Sequence, residues 1–319
     1  MKFFSLCYHY IRKPDDEAHF PRILGTKISD FEDHIKKFKT KFDFLNLDDI
    51  YNMYYSKKEI RTTKPGLLLT FDDGLSDHFE AAKILYENNI QAVFFIPTCI
   101  LSEQLPANPN IIHYSIAQFG VSEFLEVFHN GIDKYQPNFK KRSIKFDKSV
   151  DDPWEIIKKI KIFFKYDLTI HDSRNILLFI YKNLLEKKYP NILKNMHLNP
   201  SQVDNMVKMN HSLGMHTHNH ISIGSSSLTQ DDIEKEIIFP KKYFKEQFNT
   251  DVYSFSYPYG EPEDILATRD LLEHTNEYKI GFTVEEKIND ENTSPLEIGR
   301  YQPMSYDNSQ KIIKRLESM

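Results

Sequence analysis

Two short clusters hold residues whose types and spacing could do chemistry. The first is Thr70-Phe71-Asp72-Asp73-Gly74. Adjacent carboxylates repel, which raises one pKa unless a cation or metal neutralises them, and Gly74 lets the backbone turn sharply enough to aim both inward. One carboxylate can then bind a metal while its neighbour moves protons. Asp-Asp-Gly is also common punctuation for a surface turn, although here an apolar strand pattern runs straight into it. The second cluster is His216-Thr217-His218-Asn219-His220. Histidines at i and i+4, here His216 and His220, can face one ion from a helical turn or a compact loop, and neutral imidazole is the usual nitrogen ligand of zinc. His218 lies between them and should point elsewhere, as a surface or supporting histidine. A His, His, Asp set leaves one position open to water, as catalytic sites do.

These clusters need rigid elements to aim them. The run Leu67-Leu68-Leu69-Thr70-Phe71 ends abruptly in Asp72-Asp73-Gly74, as a buried parallel strand does at its C-terminal end. Residues 3–9 read as an earlier strand and 30–40 as a helix through Phe31, Ile35 and Phe38. A helix over 77–88 and a strand over 92–96 follow, so the order predicts a parallel sheet or barrel. Between 103 and 200 the texture becomes helical, at 111–130, 152–165 and 173–187, which reads as an insertion. Its aromatic residues Tyr114, Phe119, Phe124, Trp154, Phe163 and Phe164 read as core at helical spacing, with a sugar platform as the alternative. The alternation then resumes with a strand at 213–218, a helix at 229–247, a strand at 252–260, a helix at 262–276 and a strand at 278–284.

Composition narrows the partners. The chain has 319 residues, 41 Lys+Arg against 46 Asp+Glu and a net charge of −5, with no basic footprint for nucleic acid. Two cysteines, Cys7 and Cys99, are too few for a disulfide framework and fit a reducing compartment. No run of about 18 apolar residues predicts a membrane span. The opening segment reads as a strand rather than a signal peptide, so a cytoplasmic location is expected.

Taken in order with Ser254-Phe255-Ser256-Tyr257-Pro258-Tyr259-Gly260, the two clusters resemble the motifs of the polysaccharide deacetylase family, carbohydrate esterase family 4. TFDDGLSDHFEAAKILYENNIQAVFFIPT is similar to its first motif with the following helix and strand, and GMHTHNHISIGSSSLTQDDIEKEI to its histidine motif. The resemblance covers roughly 66–100 and 208–285. It implies an α/β fold, a distorted (β/α)7 barrel spanning 1–319 as one catalytic domain with the helical insertion at 103–200. It also implies that Asp73, His216 and His220 hold a divalent metal, by default Zn2+, that Asp72 is the general base, and that the Tyr259 N–H helps bind the oxyanion. Many members carry an Arg in the third motif to orient the base, whereas this chain has Ser256 there. The sequence resembles instead a branch with F-x-Y-P-Y-G, in which an Arg near the C-terminus matches Arg300. No Leu-x-His motif follows residue 285, and in that branch a histidine after the N-terminal strand serves as acid, matching His9.

The implied function is removal of the N-acetyl group from an amino sugar or saccharide conjugate in polysaccharide or glycoconjugate biosynthesis. A helical cap would favour a small or single-ended substrate. A deformylase or other N-deacylase of a lipid-linked aminosugar, and an inactive sugar-binding homologue, are the alternatives. Oligomeric state is not encoded in any feature of the sequence.

Overall fold

A computed structural model describes residues 2–14, 20, 22–57, 62–137, 153–224 and 227–319. Its strands are β1 (Phe3–Tyr8), β2 (Ile11–Arg12), β3 (Thr26–Lys27), β4 (Asp43–Leu45), β5 (Gly66–Phe71), β6 (Val93–Ile96), β7 (Ser212–Met215), β8 (Ser254–Ser256) and β9 (Ile280–Phe282). Apart from the small β2–β3 pair they form one seven-stranded sheet in the order β1-β5-β6-β7-β8-β9, with β4 beside the start of β5. Every pairing in it is parallel. The extended segment 298–301 joins the two edges: Ile298 bridges Phe282 of β9 and Tyr301 bridges Leu6 of β1. The result is the expected α/β architecture, a distorted (β/α)7 barrel.

Alternation of side chains along each strand separates two apolar layers. On β5, Leu67, Leu69 and Phe71 face a helix-covered cluster, whereas Leu68 joins an inner cluster with Phe3, Val93, Phe95, Ile280, Phe282 and Ile298. The same parity carries Leu68 on to Thr70 and Asp72, and Phe3 on to Ser5 and Cys7. The barrel is therefore apolar below and polar at its mouth. Gly214 of β7 makes room for this inner layer, because a Cβ there would lie 2.2 Å from the Phe95 ring.

Several elements differ from the sequence pattern in ways that matter at the mouth. The strand expected over 213–218 stops at Met215, and the one expected over 252–260 is confined to Ser254–Ser256. The helix expected over 229–247 contains a π-helical turn, Glu234–Ile238. Between β6 and β7, helices Asn108–Tyr135, Pro153–Ile162 and Ile170–Ile180 pack on a cluster of their own that includes Ile111, Phe124, Phe128, Ile160 and Ile176. Tyr114, Phe124, Phe163 and Phe164 are buried and Phe119 packs against that cluster, as core-forming aromatics do. The Trp154 side chain lies outside the described residues.

Buried histidines tie the helices to the barrel in neutral form. His34 Nε2 lies 3.0 Å from the Asp307 carbonyl and its Nδ1 3.0 Å from the Tyr8 hydroxyl, a pairing that suits one donor and one acceptor. His211 repeats it with the Ala82 carbonyl at 3.0 Å and the Ala92 N–H at 3.3 Å. Burial lowers the pKa of both, and lowers that of His78 to about 4. The unfolded chain then binds protons that the fold refuses, so stability present above pH 6.5 is lost as pH falls toward 4. Urea midpoints should drop steadily across that window. His34→Gln should flatten the slope; an unchanged slope would show that His34 does not report on folding.

Candidate active site

The polar mouth gathers residues from strand ends distant in the chain. Asp72 and Asp73 follow β5, and both are buried. Asp73 has φ +78° and Gly74 φ +57°, a left-handed pair that splits the two carboxylates toward different partners. Asp72 meets Arg300, whose side chain is 0 % exposed. Nη1 donates to Oδ1 and Nη2 to Oδ2, each at 2.8 Å. The guanidinium also donates to Thr70 Oγ1 at 3.0 Å, to Ser256 Oγ at 2.8 Å and, through Nε, to the Thr283 carbonyl at 2.8 Å. Ser256 Oγ donates to Asp72 Oδ2 at 2.9 Å, and Cys7 Sγ lies 3.3 Å from the same oxygen. Burial alone would raise the Asp72 pKa, but the Arg300 charge and hydrogen bonds, aided by His216, hold it well below the usual carboxylate range. An ionised carboxylate has about four acceptor positions. Oδ2 is saturated, while Oδ1 retains one.

Asp73 meets the two histidines. His216 Nε2 and His220 Nε2 lie 3.4 Å and 3.2 Å from its Oδ1, and all three ligand atoms fall within 4.8 Å of one another. His216 Nδ1 lies 2.8 Å from the Ser256 carbonyl, which only an N–H on that nitrogen satisfies. With Nδ1 holding that proton, Nε2 is the ring atom that faces Asp73 Oδ1, and it offers a lone pair whenever the ring is neutral. A cation between the two atoms, either a proton or a metal ion, satisfies both. Zinc bonds of roughly 2.0–2.2 Å at tetrahedral angles put ligand atoms about 3.3–3.5 Å apart, close to the separations seen, so the residues fit a divalent ion.

The histidine loop is strained and clamped. Thr217 (φ +54°) and His220 (φ +60°) are left-handed, conformations that cost roughly 1–3 kcal/mol each in residues of this kind. Glu236, turned inward by the π-helical turn, offsets that strain. Its carboxylate accepts from the Asn219 N–H at 2.9 Å and Asn219 Nδ2 at 2.6 Å, and its carbonyl from the His218 N–H at 3.1 Å. His218 turns away as expected, with Nδ1 2.8 Å from Thr98 Oγ1 and Nε2 3.0 Å from Glu103.

His9 lies just beyond β1, beside Asp72: ligand atoms of Cys7, His9 and Asp72 fall within 4.8 Å of one another. Gln302 Nε2 is 3.4 Å from its Nδ1. Tyr259, after β8, packs edge-on against His220 with ring centroids 5.4 Å apart. His9, Asp73, His220 and Tyr259 all line a cavity of about 340 Å³, which the inserted helices close with His113, Lys161, Phe164 and Lys165. Sequence patterns did not single out Ser256, Glu236, His113 or Lys161. Ser256 was visible only as the place where an Arg was missing, and the other three sit in ordinary helical patterns.

Comparison with known proteins bears on this geometry. Residues 175–280 match the family described as polysaccharide deacetylase, a stretch that includes the histidine cluster and β8. No curated protein sequence matches the chain. Among solved structures it is similar to Streptococcus pyogenes deacetylase PplD in complex with acetate, with 17% identity, TM-score 0.57, and 99% of this chain and 98% of that one covered. It is also similar to IcaB from Ammonifex degensii (14%, TM-score 0.56, 99% and 97% covered) and to a de-N-acetylase from Aggregatibacter actinomycetemcomitans (14%, TM-score 0.53, 99% and 100% covered). At these identities the likeness establishes the shared barrel.

Removing one member of a buried, hydrogen-bonded ion pair leaves the other charge uncompensated. Arg300→Met should therefore lower unfolding free energy by roughly 3–5 kcal/mol. The double variant Arg300→Met/Asp72→Asn should recover part of that loss in urea titrations. No recovery would mean that Arg300 acts by packing on Phe95 and Phe282 rather than through Asp72.

Proposed function

We propose that this protein is a metal-dependent N-deacetylase acting on an amino sugar within a saccharide or saccharide conjugate, as a step in polysaccharide or glycoconjugate biosynthesis. The observation that carries the reading is the meeting of Asp73, His216 and His220 around one point beside the Asp72–Arg300 pair. The match of residues 175–280 to polysaccharide deacetylases supports it. We treat 1–319 as one catalytic domain in which the helices of 103–200 are an insertion.

Asp73, His216 and His220 are the ligands in this reading, with Zn2+ the leading candidate. What a divalent ion supplies when bound there is Lewis acidity: it polarises the amide carbonyl and lowers the pKa of the attacking water toward about 7. The water's proton goes to Asp72 through the free position on Oδ1. Arg300 and Ser256 fix that carboxylate and keep it ionised between turnovers. The Tyr259 N–H steadies the oxygen that gains charge as the water oxygen bonds to the carbonyl carbon. His9 delivers a proton to the nitrogen as the C–N bond breaks, so acetate and a free amine leave.

Acetate release from N-acetylglucosamine conjugates, measured beside metal content, tests these roles. Asp72→Asn should bind metal normally and lower kcat by about 10²–10⁴-fold, whereas Asp73→Ala and His216→Ala should lose the metal as well. Full activity in Asp72→Asn would refute the base assignment. The insertion closes the cavity near the lower end of the roughly 300–1,000 Å³ range of small-molecule pockets. Short conjugates should accordingly outpace chitin-length polymer in kcat/KM; equal rates would show that the helices do not restrict access.

A further inference from the structure

The wall that the inserted helices add to the cavity combines apolar side chains such as Ile112, Phe164 and Leu177 with the donors His113, Lys161 and Lys165. Lys161, in the last turn of helix Pro153–Ile162, lines the cavity. Among the described residues it has no ion-pair or hydrogen-bond partner. Burial pushes its ammonium below the ordinary lysine range, and Asp73 offsets this only in part. Lys165, by contrast, is paired, with Nζ 2.6 Å from Glu261 Oε2. Asp73 acts on Lys161 through its charge alone, and its own Oδ1 faces His216 and His220.

His113 adds a second donor. Asn110 Nδ2 donates to the Tyr10 hydroxyl oxygen at 3.1 Å, which frees the Tyr10 proton for His113 Nδ1 at 3.2 Å. Burial, with the nearby Lys161 charge, lowers the His113 pKa to about 3, so the ring is neutral and carries its proton on Nε2. That N–H has no partner among the described residues. Among the described residues neither the ammonium nor the spare N–H has a hydrogen-bond acceptor, although the Asp73 charge reaches both, and such a donor pair is complementary to an oxyanion.

We propose that the sugar entering this cavity carries an acidic group, a phosphate or a carboxylate, which Lys161 and His113 bind. The inference rests on the deacetylase reading for the amino-sugar part of the ligand and on the cavity wall for the acidic part. Calorimetric titration of the full zinc-loaded chain with the product-type ligands glucosamine, glucosamine 1-phosphate and 2-amino-2-deoxyglucuronate separates the two. At least one acidic ligand should bind about tenfold or more tightly than glucosamine, and the tighter of the two identifies phosphate or carboxylate as the source. Lys161→Met should erase the difference and Lys161→Arg should keep most of it. Equal binding of glucosamine, or a preference that survives Lys161→Met, overturns the proposal. Acetate release from the N-acetylated forms is scored separately. Acid preference without any acetate release supports this inference and counts against the deacetylase reading, and release without acid preference does the reverse.

Discussion

Two carboxylates on consecutive residues, both buried, can stay ionised only if separate positive charges reach each of them. Desolvating one carboxylate is already unfavourable by several kcal/mol, and a second beside it adds repulsion. The structure resolves this by dividing the pair. The left-handed turn at Asp73 and Gly74 sends one side chain to Arg300 and the other to His216 and His220. Neither set of partners substitutes for the other. Arg300 is a fixed charge with a planar fork, suited to orienting a carboxylate, while the imidazoles offer lone pairs, suited to a metal.

The barrel delivers both sets of partners. Arg300 lies on segment 298–301, which bridges β9 and β1 in place of a further long strand. Closing the sheet and neutralising Asp72 are thus one structural event. Phe95 and Phe282, with ring centroids 5.7 and 5.9 Å from the guanidinium carbon, form the apolar floor beneath it. On the opposite side the strained histidine loop depends on Glu236, and Glu236 depends on an irregular helical turn. π-helical turns of this sort gather at functional sites because they re-aim a side chain that a regular helix would point elsewhere.

The inserted helices have a core of their own, distinct from both barrel layers. Their contribution to the mouth is a wall that carries Lys161 and His113 amid apolar side chains. Loops and insertions at the C-terminal ends of barrel strands commonly set specificity while the strand ends hold the reacting groups. In the proposed reading, Lys161 and His113 belong to the first class, and Asp72 and Asp73 to the second.

The sequence by itself determined the strand-turn at β5 and the parallel α/β class, and it set out the Asp72-Asp73 pair and the His216/His220 pair as metal-binding candidates. Those features are local: an apolar run that stops at carboxylates, an i, i+4 histidine pair, and a period that alternates between strand and helix. Strand limits near 213–218 and 252–260 were less legible, because aromatic and polar residues past the last paired position still look strand-like when register is unknown. Grouping Asp73 with His216 and His220, and placing Arg300 and His9, drew on resemblance to a family pattern, and nothing in their spacing brings them together. Only the tertiary structure decided that Arg300 and His9 meet Asp72, that Ser256 bridges base and guanidinium, and that Glu236 clamps the histidine loop. Each of these contacts spans a long stretch of chain or a break in helical regularity. They follow from barrel closure and burial, which are properties of the packed whole and leave no period in the residues that make them.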